Sequence, residues 1–337
     1  MVDIRDFSID ELCNAGKIIV IHSAMNGGKT ETLVKEMKRA LYNGVNSMAY
    51  NTDINARERD AIVVDGKIFH PALTVGPISE IKKDFEDRRS QLEYFLDKPI
   101  TWGEEIMIRG VPHIKGYPLR VLGVDEVNFF MKNDQEAREM LALADWCSNQ
   151  KVASYFAGLS HDFRHMPFGL VERLIKYADI VGQKKPACMG IPEGEVKCSK
   201  PATHSQRLWT RQYAESQGLE HLPDFNFVGK KHNRIVGLYV PAPFFDLTVA
   251  SETKEEEARQ SEIEYLPVCK DCAKHPYKNE TGLVLDAIRK GVDPSSAVDD
   301  ELITKKIINF LTHPFEGYVE RTPEGIYVPL HKNNPFS

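Results

Sequence analysis

One short glycine-rich turn constrains this chain more than any other feature. Residues 17–22 form a β-branched apolar run, and Leu33, Met37, Ala40 and Leu41 follow at helical spacing. Between them stands Ser23-Ala24-Met25-Asn26-Gly27-Gly28-Lys29-Thr30. This nearly fits the G-x-x-x-x-G-K-T pattern of phosphate-binding loops, with Ser23 in place of the first glycine. Glycines let backbone N–H groups converge on phosphate oxygens, and the helix that starts here adds its unpaired N–H groups and positive dipole end. Lys29 is expected to bridge the terminal phosphates and the Thr30 hydroxyl to ligate Mg2+. A strand, loop and helix in this order is the context the motif demands.

The rest of the first half continues the alternation. Residues 47–50 and 119–124 read as strands, 152–159 as another, and 79–96 and 136–146 as helices. Residues 62–64 and 67–75 flank Asp65-Gly66, a hairpin signal. Strands alternating with helices predict a mostly parallel sheet covered on both faces. The 119–124 strand ends in Asp125-Glu126. A carboxylate there lies where open α/β sheets bind ligands, so Asp125 is placed to hold Mg2+ and Glu126 to act as a base.

From about residue 183 the character changes. Cys188 and Cys198 form a loose pair and Cys269-Lys270-Asp271-Cys272 a C-x-x-C knuckle, a set that suits tetrahedral Zn2+. The wide first spacing makes His275 an alternative ligand, and a redox C-x-x-C is the rival reading. Cys13 and Cys147 read as small buried or half-buried apolar residues. Residues 251–264 carry an acidic tract, expected to be a solvated face or mobile segment. Helices are expected at 283–289 and 301–311. The formal net charge of −6, from 43 Lys+Arg against 49 Asp+Glu, argues against a protein built to grip nucleic acid. No apolar stretch is long enough for a membrane span, the N-terminus lacks a secretory pattern, and paired cysteines without an export signal read as intracellular, cytoplasmic metal ligands.

Five ordered blocks carry a resemblance. Residues 23–30, Asp125-Glu126-Val127-Asn128-Phe129-Phe130, residues 158–169, residues 201–208 and residues 265–272 follow one another as in the thymidine kinases of the zinc-containing, tetrameric type. The chain resembles that family from about residue 17 to 275. The resemblance implies an α/β fold: a mostly parallel P-loop (RecA-like) sheet with flanking helices, plus a small zinc-bound lasso domain. It implies ATP-dependent phosphorylation of the thymidine 5′-hydroxyl, with ATP, Mg2+ and structural Zn2+. Glu126 would be the general base, and Asp125 would organise Mg2+. Phe129, Phe163, Phe168, Thr203 and Tyr265 would meet the nucleoside. Arg57 and Asn128 would stand with the phosphate loop around ATP. A homotetramer is the family's assembly. The expected layout is a kinase core over 1–182, a zinc/lasso domain over 183–278 with an insertion near 227–264, and a C-terminal extension over 279–337.

This chain departs from the family at Ser23, at Asn128 where Gln is usual, at Asn55, at Ser160-His161, and in the length between Thr203 and Tyr265. A kinase for another or modified pyrimidine deoxynucleoside, and a nucleotide-binding module without catalysis, are the alternatives these departures raise.

Overall fold

The computed structural model describes residues 4–52, 61–64, 67–96, 103–192, 197–229, 234–246, 262–312, 319–321 and 327–329. The chain divides into two units: Met1–Asp162 with Pro167–Pro186 and Pro201–Thr203, and Phe163–Met166 with Ala187–Lys200 and His204–Ser337.

The first unit is built on a six-stranded sheet in the order Ile180–Lys184, Ile18–Ser23, Ala153–Gly158, Leu119–Val124, Asn46–Thr52, Leu73–Val75. Every pairing in it is parallel. Side chains alternate between faces along each strand. Ile18 and Val20 enter one apolar cluster with Leu122, Val124 and Phe156, and Ile19 and Ile21 enter the other with Val121, Tyr155 and Ala157. The helix Lys29–Tyr42 closes the second face with Leu33, Val34 and Met37, beside Ile9–Asn14. Ile78–Leu96, Asp134–Asn149 and Val171–Tyr177 close the first face, through Phe85, Met140 and Leu174 among others. A parallel sheet covered this way must be apolar on both sides, which is why its strands read as near-continuous runs. Cys13 and Cys147 are buried in these two clusters, as expected.

The expected hairpin is only half right. Ala61–Val64 pairs antiparallel with Lys67–Pro71, but Leu73–Val75 leaves it and joins the central sheet beside Asn46–Thr52. The Asp65-Gly66 turn lies outside the described residues. Sequence reading missed the edge strand Ile180–Lys184, the hairpin Glu105–Ile108 with Val111–Ile114, and the helix Ile9–Asn14. The last carried a legible signal, since Ser8 and Glu11 form a capping box.

In the second unit His204–Thr210 lies between Tyr239–Pro241 and Ile263–Val268, antiparallel to both. One face of this sheet carries Leu208, Leu266 and Val268 against the four clustered cysteines and Phe227. The other carries Trp209 and Tyr265 against Phe163, Phe245 and the tail helices Lys278–Arg289 and Glu301–Leu311. The tail helices start earlier than the sequence indicates in the first case and as expected in the second. Their buried residues Val284, Leu285, Ile303, Ile307 and Phe310 are continuous with the sheet's own core. The expected insertion supplies the strand Tyr239–Pro241 and the small ladder Phe227–Val228 with Arg234–Ile235. Residues 251–261 of the acidic tract lie outside the described residues. Among the described residues no helix is long and apolar enough to cross a membrane.

Ile307 is fully buried in this second core. Ile307→Ala should lower the free energy of opening the strand His204–Thr210 by about 2–4 kcal/mol, read by hydrogen exchange at its amides.

Candidate active site

Parallel strands bring their carboxyl ends to one edge of the sheet, and the first unit's polar groups gather there. The strand Ile18–Ser23 runs into the glycine turn, which ends at Gly28 in the left-handed region (φ 77°) and starts the helix at Lys29. Gly27 has no room for a side chain, because a Cβ would lie 2.4 Å from Ser23 Oγ and 2.8 Å from the Ala24 carbonyl. Ser23 itself does not have a positive φ, so the serine is not strained where the motif has glycine. Its hydroxyl donates to the Ala24 carbonyl at 2.7 Å and is buried under the turn.

The acidic turn comes from Leu119–Val124, separated from Ile18–Ser23 by one strand, Ala153–Gly158. Gly158 at the end of that strand permits the approach, since a Cβ there would meet Val127 at 2.6 Å and Asn128 Oδ1 at 2.9 Å. The turn then crosses over it. Lys29 Nζ donates to Glu126 Oε1 at 2.9 Å, Thr30 Oγ1 donates to Asp125 Oδ1 at 3.3 Å, and the Glu126 amide donates to Asp125 Oδ1 at 3.0 Å. Glu126 sits in the left-handed region (φ 49°), a strained conformation for a side-chain-bearing residue. Lys29 and Asp125 are buried, and the Glu126 side chain keeps 21% of its exposure.

Burial dominates the electrostatics. It pushes the Asp125 carboxyl up to about 7, helped by the adjacent Glu126 charge and opposed by Lys29. Burial works against the Lys29 ammonium, but the carboxylates of Glu126 and Asp125 outweigh it and hold its pKa above the ordinary lysine value. A lysine that stays charged beside a part-exposed carboxylate, at the start of a helix, suits a phosphate chain and a proton acceptor side by side.

Asn128 is buried, and its amide oxygen accepts from the Leu159 N–H at 2.9 Å, tying the acidic turn to the strand between it and the phosphate loop. Phe129 and Phe168 are both half-buried and meet edge to face, ring centroids 5.5 Å apart. Gly169 makes that possible, since a Cβ there would lie 2.8 Å from the carbonyls of Asn128 and Met131. Thr203 is exposed just ahead of the strand His204–Thr210. Arg57 lies outside the described residues.

In the second unit Phe163 is buried and Tyr265 half-buried. Arg207, opposite Tyr265 in the antiparallel ladder, places its guanidinium 5.3 Å from the Phe163 ring centre and 5.7 Å from that of Tyr265. Sequence reasoning did not single out Arg207, although it lies inside one of the family blocks. It also passed over Gln206, which is fully buried and clasps the backbone of Lys274, accepting from its N–H at 2.8 Å and donating to its carbonyl at 3.0 Å.

The four cysteines of the two pairs converge. The sulfurs of Cys188, Cys198, Cys269 and Cys272 all lie within 4.8 Å of one another, all are buried, and none is in a disulfide. Cys198 and Cys269 are 3.8 Å apart, the separation that tetrahedral zinc–sulfur bonds of about 2.3 Å produce. Gly190 is required beside them, because a Cβ would lie 2.8 Å from that of Cys272. Burial pushes the Cys188 thiol up to about 11, a penalty that a bound Zn2+ reverses by taking thiolates. His275 is outside this cluster; its ring meets Phe244 edge to face at 6.3 Å, and burial depresses its pKa to about 4. The donor set therefore fits structural Zn2+ with four cysteines.

A phosphate loop whose lysine meets an acidic strand end, accompanied by a four-cysteine cluster that could hold a metal ion, defines a nucleotide-using phosphotransferase. The thymidine kinase family model matches residues 16–92 and 105–221, and the chain belongs to that family. It is 28% identical over 195 residues to a thymidine kinase of Deinococcus deserti, covering 58% of this chain and 81% of that one. It is 29% identical over 202 residues to a thymidine kinase of Mycoplasmoides gallisepticum, covering 59% and 71%. Among solved structures, the cytoplasmic domain of the Thermomonospora curvata Type VII secretion ATPase EccC aligns with TM-score 0.30 at 11% identity, over 68% of this chain and 24% of that one. The replication initiator DnaA bound to AMPPCP and single-stranded DNA aligns with TM-score 0.28 at 14% identity, over 52% and 44%. Scores this low carry no argument.

Two outcomes follow. Because folded Asp125 keeps its proton to about pH 7 while an unfolded aspartate releases it near pH 4, its contribution to stability falls as pH rises through that window. Asp125→Asn should therefore raise Tm more at pH 8 than at pH 4.5, read by calorimetry without nucleotide. Metal analysis should return about one Zn2+ per chain, and chelation should lower hydrogen-exchange protection of Ile263–Val268.

Proposed function

We propose that the chain transfers the γ-phosphoryl group of ATP to the 5′-hydroxyl of thymidine, giving thymidine 5′-monophosphate and ADP. Membership of the thymidine kinase family supports the reaction. The observation that carries the assignment of roles is the 2.9 Å contact between Lys29 and Glu126, with Thr30 and Asp125 joined beside it.

The glycine turn from Ser23 to Gly28 cradles the phosphates through its backbone, and Lys29 turns to their terminal oxygens. Glu126, then relieved of its ion pair, accepts the proton of the 5′-hydroxyl as that oxygen bonds to the γ-phosphorus and the bond to the β-bridging oxygen breaks. Mg2+ at Thr30 and Asp125 would supply charge neutralisation on the phosphates. The strained backbone at Glu126 aims its carboxylate without reliance on a flexible loop, which favours a fixed geometry for proton transfer.

By the family resemblance Phe129, Phe163, Phe168, Thr203 and Tyr265 are assigned to the nucleoside, whose flat pyrimidine suits aromatic faces. Arg57 and Asn128 complete the ATP assignment, Asn128 by holding the acidic turn in place through Leu159. A cytoplasmic homotetramer with structural Zn2+ is the assembly and location that accompany this reading.

With ATP, Mg2+ and a panel of nucleosides, the purified protein should phosphorylate thymidine; absence of any phosphorylated pyrimidine overturns the reading. Glu126→Gln should lower kcat by roughly 10²–10⁴-fold while calorimetric ATP binding persists.

A further inference from the structure

Two arginines are buried in the second unit beside the residues assigned to the base. Arg164 is 4% exposed and Arg207 2%. Burying a guanidinium is costly unless charge or aromatic faces replace water, so the groups around each one matter. The Arg164 guanidinium lies 5.2 Å from the Phe163 ring centre, 6.0 Å from Phe244 and 5.0 Å from Phe310. Arg207 lies against the rings of Phe163 and Tyr265, and its Nε is 3.0 Å from Asp246 Oδ2. That same carboxylate oxygen accepts from the Trp209 indole N–H at 2.9 Å. The Phe163 ring therefore has both guanidinium groups against it, and Tyr265 shares one of them.

The partners of those cations come from the two parts of the chain by which it departs from the family pattern. Phe244 and Asp246 belong to the long segment between Thr203 and Tyr265, and Phe310 belongs to the tail helix Glu301–Leu311. They also meet each other: the rings of Phe244 and Phe310 are 6.5 Å apart, edge to face. The insertion is tied to the neighbouring backbone as well, with the Ala242 N–H donating to the Arg207 carbonyl at 3.0 Å and the Phe244 N–H to the Pro276 carbonyl at 2.8 Å.

We propose that Asp246 of the insertion and Phe310 of the tail are positioning residues for nucleoside binding, holding Phe163 and Tyr265 in place through the buried guanidinium groups of Arg207 and Arg164. The proposal rests on the reading that Phe163 and Tyr265 meet the base. A buried ring packed against two buried guanidinium groups has little freedom to tilt, and the Asp246 carboxylate 3.0 Å from Arg207 Nε balances the charge of one of them. The insertion and tail thus act on substrate affinity through the packing of the second unit itself.

The test is steady-state kinetics on the full chain with Asp246→Asn, Asp246→Glu, Phe310→Leu, Phe163→Ala and Tyr265→Phe, each assayed well below its measured Tm. Asp246→Asn and Phe310→Leu keep side-chain bulk while removing the charge and the ring face. Each should raise KM for thymidine roughly five- to thirtyfold with KM for ATP within twofold of the parent chain, and Asp246→Glu should recover most of the loss. A uniform fall in kcat with both KM values unchanged, or a parallel change in both KM values, overturns the proposal, because loss of folded protein or general loosening is then the cause. If Phe163→Ala and Tyr265→Phe leave KM for thymidine unchanged, the assignment of the base site itself fails. If those two raise it and Asp246→Asn and Phe310→Leu do not, only the positioning role fails.

Discussion

The ion pair between Lys29 and Glu126 is the interaction around which the first unit is arranged. It links the first residue of the phosphate-loop helix to the turn that ends another strand, across the end of a third. A buried ammonium is tolerable only beside negative charge, and here the Glu126 carboxylate supplies most of it, at the carboxyl edge of the sheet. The glycines follow from that convergence. Gly27 lets the turn fold over Ser23, and Gly158 lets the acidic turn cross the intervening strand. Glu126, the residue assigned the chemistry, is one of the non-glycine residues in the left-handed region, and it stands at the end of a sheet buried on both faces.

The second unit solves a different problem. Its antiparallel sheet is small, so neither face could be stable unaided. One face closes on the four cysteines, whose shared geometry suits a metal staple. The other closes on the tail helices, which extend the apolar core over Trp209 and Phe163. Segments that look like additions in the linear chain therefore supply core, strand and charge partners. Ser23 illustrates the same economy on a smaller scale: the side chain that breaks the motif folds under the turn and bonds its backbone without strain.

Much of this was legible in the residues. The parallel core showed itself as apolar runs alternating with helical spacing, because burial on both faces leaves no polar periodicity to blur them. The phosphate loop, the acidic pair and the cysteine pairs each combine residue types that chance seldom places in that order. Leu73–Val75 escaped because a short apolar strand reads the same in a hairpin and in a parallel sheet. Ile180–Lys184 escaped because a half-buried edge strand that carries Gly182, Gln183 and Lys184 lacks both an apolar run and strict alternation.

The sequence alone determined the class of fold, the candidate phosphate-binding turn, the candidate base and the candidate metal-ligating cysteines, since each depends on local spacing or on the chemistry of a few side chains. Tertiary structure decided the rest. It set four cysteines rather than His275 at the cluster, turned Asn128 to a backbone amide, and drew Asp246 and Phe310 to buried arginines far from them in the chain. The physical reason is that desolvating a charge makes its partners decisive, and those partners are chosen by packing in space, which no local pattern records.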